Sequence, residues 1–190
     1  AVVLTHGHYD HIGAVPYLIG RIGNPPIYTL PMTKGIIERR QEEFVNAPKL
    51  NIITVKFGDK VKIGQYIDLE FFGTSHTIPD NTGIVIKKPV GNLVHFSDFR
   101  IDYDNKGNPL GLDGIKRVGE MDVHTLMIDS TNAEEEGHSV SEKVVEENLE
   151  KLFRQAEGRI SVATFSSMIT RIAEIIKIAE RLDRKVIISG

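Results

Sequence analysis

Short apolar runs with period-two spacing fill the first two thirds of this chain, and helical spacing takes over in the last third. Val2-Val3-Leu4-Thr5 is apolar and β-branched and reads as the end of a buried strand. Residues 12–19 have the apolar spacing of a short helix, in which Pro16 is tolerable only near the first turn. Ile27-Tyr28-Thr29 is a short strand, and Pro31 opens a helix to about Phe44, at a position where a missing N–H costs little. Residues 52–57, 60–63 and 66–72 read as consecutive strands parted by Gly58-Asp59 and Gly64-Gln65 turns. A loop over residues 73–81 follows. Strands over 82–87 and 93–96 then form a hairpin around Pro89-Val90-Gly91-Asn92, which delivers Ser97-Asp98-Phe99 at a strand end.

Residues 102–120 are rich in Gly, Asp and Asn and read as surface loop with one helical turn. Residues 123–128 form a buried strand that ends in Asp129-Ser130-Thr131-Asn132. Beyond this the rhythm changes. Ser139-Val140-Ser141-Glu142 fits a capping box. The helix it opens carries Val145, Leu149, Leu152, Phe153 and Ala156 on one stripe. Residues 159–164 read as a strand, 167–182 as an amphipathic helix and 186–188 as a further strand. Strand, helix and strand at this spacing predict a βαβ unit and so a parallel sheet. The chain thus reads as a β-rich first part and an α/β last part, with the boundary near residues 130–140.

Composition narrows the class. The 190 residues are 41% hydrophobic, enough for a core, and the net charge is −3, so no general basic field argues for or against nucleic acid. Absence of cysteine excludes disulfides, thiolate-bound zinc and thiol catalysis in this stretch. No apolar run approaches a membrane span and no signal peptide is evident. The chain starts at Ala1 inside an apparent strand and stops on another, the pattern expected of an internal segment of a longer protein.

The chemistry concentrates in His6-Gly7-His8-Tyr9-Asp10-His11. Background residue usage puts a chance H-x-H-x-D-H in such a chain at roughly one in ten thousand. Past a strand end, residues two apart point to the same side, so His6 and His8 can face one cation together, while Asp10 and His11 point elsewhere. One loop then offers two pairs of ligands, which suits two neighbouring metals better than one, and Gly7 lets the backbone pass close to the ions. Imidazole and carboxylate without thiolate suit Zn²⁺, and also Mn²⁺ or Fe²⁺. Further ligands must come from elsewhere. His76 lies at the tip of a loop after one strand and Asp98 ends another; Asp98 can bridge two cations with its two oxygens, although alone His76 reads as a loop histidine and Asp98 as a turn residue. His124 and His138 have no motif context and read as surface or satisfied histidines. Glu134-Glu135-Glu136 reads as a solvated loop.

His6 to Leu18, read as H-G-H-Y-D-H-I-G-A-V-P-Y-L, resembles a signature motif of the metallo-β-lactamase superfamily. More narrowly, Ser75-His76-Thr77-Ile78-Pro79-Asp80, Val94-His95-Phe96-Ser97-Asp98-Phe99-Arg100, Asp129-Ser130-Thr131-Asn132-Ala133-Glu134 and Ala163-Thr164-Phe165-Ser166-Ser167 are similar to the ribonuclease J family, of the β-CASP branch. The resemblance implies an α/β fold: a partial metallo-β-lactamase αββα sandwich over residues 1–136, then the start of a parallel-sheet β-CASP domain over 137–190. It implies that His6, His8, His76 and Asp98 hold one metal and that Asp10, His11 and Asp98 hold a second. It implies Asp129 as a further acid beside the metals, and Ser166 and Ser167 near RNA phosphate, where a helix start favours anions. His95 also matches and is expected to pack or hydrogen-bond beside the site. Two departures stand out: Tyr9 where the family usually has an acid, and Ser97 where it commonly has glycine. Neither removes a ligand.

The implied activity is hydrolysis of RNA phosphodiester bonds, 5′→3′ exonucleolytic with endonucleolytic cleavage as a second mode, through water deprotonated between two divalent ions, zinc foremost. The implied setting is cytoplasmic RNA processing and decay by a homo-oligomer assembled through parts outside this chain, with RNA as partner and no membrane. Two readings compete: a thioester or lactone hydrolase of the same superfamily, and a catalytically inactive β-CASP subunit. The β-CASP-like stretches argue against the first. The second would show lost ligands, and all six are present.

Overall fold

A computed structural model describes residues 1–104, 106–137 and 139–189. The elements, in chain order, are β1 (Val2–Val3), α1 (Tyr9–Ile12), α2 (Val15–Leu18), β2 (Ile27–Thr29), α3 (Pro31–Glu42), β3 (Ile52–Thr54), β4 (Lys60–Ile63) and β5 (Ile67–Gly73). They continue with β6 (Thr82–Lys88), β7 (Gly91–His95), β8 (Asp102–Tyr103), β9 (Pro109–Leu110), α4 (Asp113–Gly119), β10 (Val123–Met127), α5 (Glu142–Gln155) and α6 (Ile169–Arg181).

Two sheets stack between helices. The first is parallel, in the order β1-β2-β3. The second has the order β10-β7-β6-β5-β4 and is antiparallel except for the β7–β10 pair. Side-chain alternation along β5 explains why this sheet is covered on both faces. Leu69 and Phe71 join Leu30, Val55 and Ile84, with Val3 and Tyr28, in the core between the sheets. Phe72 points the other way and joins Val85, Val94, Phe96 and Val118, with Ile115 of α4. Leu4, Ile12, Val15, Ile19, Ile27 and Ile37 fill the space between the first sheet and α1–α3. The layers therefore run helix, sheet, sheet, helix, as the sandwich expectation requires.

Several elements differ from the sequence expectation. Residues 102–120 hold the β8–β9 ladder and α4, because Ile115 and Val118 are needed to close the outer face of the second sheet. The helix expected over 12–19 is two short helices, the first beginning within the histidine loop. The strand expected to be buried over 123–128 is an exposed edge strand, since it pairs with β7 alone. Ser141, not Ser139, caps α5: its Oγ accepts from the Val144 N–H at 3.3 Å. Residues 159–164 and 186–188 form no ladder. Ile160 instead packs into a small core of the α5–α6 hairpin with Phe153, Ile178 and Ala179, and Ile187 stands 92% exposed. A run of apolar, β-branched residues becomes a strand only when another strand accepts its hydrogen bonds, and none does so here among the described residues. His138 lies outside the described residues. No helix among those described is long and apolar enough to cross a membrane.

Candidate metal centre

Three strand ends meet at one edge of the sandwich. The histidine loop follows β1 of the first sheet; His76 follows β5 and Asp98 follows β7 of the second. Backbone bonds hold these loops together: Thr82 N–H donates to Thr5 C=O at 3.1 Å, and Arg100 N–H to Ser75 C=O at 2.8 Å. His8 stays extended, with φ −70° and ψ 146°, before the chain coils into α1, so His6 and His8 share a side as their spacing predicts. A Cβ on Gly7 would stand 2.6 Å from Ile36 Cδ1, so glycine here lets the loop press against α3.

The donor atoms converge. Nε2 of His6 lies 3.0 Å from Nδ1 of His8, which lies 3.1 Å from Nε2 of His76. Oδ2 of Asp98 lies 3.9 Å from His6 Nε2 and 3.8 Å from His76 Nε2. The same oxygen lies 3.3 Å from His11 Nε2, which is 3.5 Å from Asp10 Oδ2. Two groups result, His6-His8-His76-Asp98 and Asp10-His11-Asp98, each with its ligand atoms within 4.8 Å of one another and with Asp98 common to both. A tetrahedral cation with bonds of about 2.0–2.1 Å needs donors about 3.3–3.4 Å apart. The separations bracket that figure, so the donor set fits divalent ions.

Hydrogen bonds behind the donors set their orientation. His6 is fully buried, and its Nδ1 meets Ser97 Oγ at 3.1 Å and Thr5 Oγ1 at 3.2 Å, the two hydroxyls being 2.7 Å apart. With Nδ1 so engaged, Nε2 is left facing the other donors. Asn81 donates from Nδ2 to Thr74 Oγ1 at 2.7 Å and to the Asp98 carbonyl at 2.6 Å, tying the His76 loop to the Asp98 loop. Asp80 accepts from Met32 N–H at 2.8 Å and so anchors the His76 loop to the start of α3. Thr5 and Asn81 carried no signal in the sequence, because hydroxyl and amide residues near a strand end are common.

Burial favours the neutral form of His6, His8 and His76. Burial, then the charges on His11, His76 and His8, lowers the His6 pKa to about 3. His8 and His76 are also lowered, in each case chiefly by burial. Neutral imidazole is the form that binds a metal. His95 ends β7; burial first, then the charge on His11, lowers its pKa, and its buried Nδ1 has no hydrogen-bond partner among the described residues. His124 is exposed.

Asp129 is half-buried and stands outside both donor groups. The backbone N–H of Thr131 at 2.9 Å, then its hydroxyl at 2.8 Å, hold its carboxyl below the usual range, and its charge acts on His76. Ser166 and Ser167 line one wall of a cleft of about 460 Å³, opposite His8 and Asp10. Neither caps α6, whose first turn has no side-chain cap.

Comparison with known proteins shows which family the chain resembles over its length. Over its whole length the chain is 38% identical to ribonuclease J of Mycoplasma pneumoniae and covers 33% of that protein. It is likewise 38% identical to ribonuclease J of Thermus thermophilus, covering 34% of it. The chain thus spans about a third of the length of the curated relatives it matches. A protein of unknown function from Enterococcus faecalis V583 shares the fold, with a TM-score of 0.69, 22% identity, and coverage of 93% of this chain and 44% of that one. The model of the β-lactamase superfamily domain matches residues 1–164, and the chain belongs to that family.

Proposed function

We propose that this chain is the metal-binding part of a ribonuclease J that hydrolyses RNA phosphodiester bonds, chiefly as a 5′→3′ exonuclease. The observation that carries the reading is Asp98 Oδ2 common to two donor groups, in a chain aligned end to end with ribonucleases J. In this reading residues 1–136 are the metallo-β-lactamase domain and 137–190 begin the β-CASP domain of a cytoplasmic enzyme that acts as a homo-oligomer.

His6, His8, His76 and Asp98 would hold one divalent ion, and Asp10, His11 and Asp98 a second, zinc foremost. Bound there, the ions would supply polarisation of the phosphoryl oxygens and ionisation of water at neutral pH. The chain's own groups do the rest. Asp10, whose side chain is largely exposed to the cleft, orients the attacking water. Asp129 remains ionised and keeps a negative charge on the His76 side of the site, favouring metal binding there. The Ser166 and Ser167 hydroxyls donate to phosphate oxygens across the cleft. In-line attack on phosphorus breaks the bond to O3′, and the proton for that leaving oxygen comes from a group outside this chain.

The test uses the full-length protein with RNA bearing a 5′-monophosphate or a 5′-triphosphate, with and without chelator. Mononucleotides from the monophosphorylated RNA, lost with chelator and restored by Zn²⁺ or Mn²⁺, are expected. Internal fragments alone would make it an endonuclease. No cleavage of either RNA by metal-loaded protein would overturn the reading and favour a small-ester hydrolase or an inactive subunit.

A further inference from the structure

Two large aromatic side chains stand exposed in the cleft. Tyr9 is 58% exposed and Phe165 is 77% exposed, and both line the cleft that holds His8, Asp10, Ser166 and Ser167. A lone exposed aromatic needs no explanation, but two in one cleft beside a metal donor set do. Tyr9 is also braced. The Arg40 guanidinium carbon lies 5.4 Å from the centroid of the Tyr9 ring and 4.8 Å from that of Phe44, which meets Tyr17 edge-on at 4.8 Å. Arg40 is itself paired with Glu43. A stack of Tyr9, Arg40, Phe44 and Tyr17 therefore ties the histidine loop to the end of α3 while more than half of Tyr9 stays open. An aromatic held in place in advance loses little freedom when a flat ligand lands on it.

The charge of the cleft narrows the ligand. No lysine or arginine lines it, and the chain as a whole is net negative. Apart from ions held at the His8–Asp10 wall, the cleft offers no cationic group to grip phosphate, so a second contact to the RNA must come from its uncharged lining. Single strands are held elsewhere by two means, basic grooves along the backbone and aromatic faces under the bases. The cleft provides the second together with serine hydroxyls. We propose that Tyr9, braced by Arg40, and Phe165 form a stacking site for one unpaired nucleobase of the RNA beside the scissile phosphate.

This proposal rests on the ribonuclease reading, and the experiment separates the two. Full-length, metal-loaded protein is given 5′-monophosphorylated RNA in which a single abasic ribose is stepped through the first positions. Wild type is expected to show a rise in KM of about tenfold at one position and little elsewhere. Tyr9→Ala should raise KM for intact RNA by a similar factor and make the abasic position indifferent, while Tyr9→Phe should restore the wild-type pattern. Phe165→Ala should do the same as Tyr9→Ala in part. Equal losses on intact and abasic RNA in Tyr9→Ala, or no position sensitive to base removal in wild type, would overturn the stacking site and leave the nuclease reading standing. Wild type that cleaves no RNA overturns both.

Discussion

Ser97 shows how much one hydroxyl can decide at the residue scale. Its Oγ reaches both Thr5 and the Nδ1 of buried His6. Hydrogen bonds behind a metal-binding imidazole typically affect affinity by about 10–100-fold. Ser97→Ala is therefore expected to weaken zinc binding by roughly tenfold, with Ser97→Thr close to wild type; competition against a chelator of known affinity measures both. An unchanged affinity in Ser97→Ala would mean that Thr5 alone orients the ring. The pKa of His6 makes a second expectation. Its native value of about 3 lies below the ordinary 6.5. Between those values the unfolded chain binds a proton that the native chain does not, so metal-free stability rises with pH across that window and levels off above it. Urea unfolding in chelator at pH 5 and pH 7.5 should show lower stability at pH 5, and His6→Asn should reduce the difference without abolishing it, since burial also lowers His8, His76 and His95. Asp129 does not confuse the comparison, because its lowered carboxyl titrates below both conditions.

At the scale of elements, the α5–α6 hairpin is fastened to the sandwich by a compact ionic knot. Glu142, at the start of α5, bonds Arg100 Nη1 at 2.5 Å and Arg171 Nη2 at 2.6 Å. Arg100 follows the Asp98 loop and Arg171 lies in α6, so one carboxylate joins the metal centre to the hairpin that bears Ser166 and Ser167. All three side chains are largely shielded, which raises the value of the bonds above that of a surface pair. Glu142→Ala should cost on the order of 2 kcal/mol. Hydrogen exchange should accelerate in α5 and α6 while β5 and β6 stay protected; uniform acceleration would mean that the hairpin is not a separable unit. This same region was the least legible in the sequence. Strands β4 to β7 were readable because their alternation and turn residues are local. The runs at 159–164 and 186–188 have equally good strand composition, yet whether a strand forms depends on a partner that composition cannot reveal. Helix α4 was hidden for the opposite reason: its Gly- and Asp-rich sequence has weak local preference and is held by Ile115 and Val118 packing on the second sheet. The capping serine was misplaced by two residues because only Ser139 has a Glu three residues on, whereas the helix starts one residue after Ser141, which caps through Val144 N–H without a capping box.

At the scale of the whole molecule, the proposed metal centre would act as a clasp between the two sheets. His6, His8, Asp10 and His11 hang from the first sheet, His76 and Asp98 from the second, and the Thr5–Ser97, Thr82–Thr5 and Met32–Asp80 bonds cross at the same edge. The histidine loop announced a metal site, and His76 and Asp98 could be named as partners, but their meeting within 4 Å depends on long-range stacking that no local pattern encodes. Ligands drawn from two layers give metal binding a global consequence. The folded state offers a preformed set of donors that the unfolded chain lacks, so free metal at a thousand times its dissociation constant should add about 4 kcal/mol to stability. The apparent melting temperature of the full-length protein should fall on chelation and recover with Zn²⁺. Asp98→Ala should abolish nearly all of that recovery, because its carboxylate is common to both donor groups, whereas His11→Ala should remove only the part due to the second group. The buried Glu70 supplies the control. It is 2% exposed and pairs with Lys87 and Arg117 on the far side of the second sheet. Glu70→Gln should lower stability equally with and without metal, since its ion-pair partners are Lys87 and Arg117 and not the donor residues. A metal-dependent shift that survives Asp98→Ala would show that the ions bind elsewhere, and the two-sheet clasp would have to be abandoned.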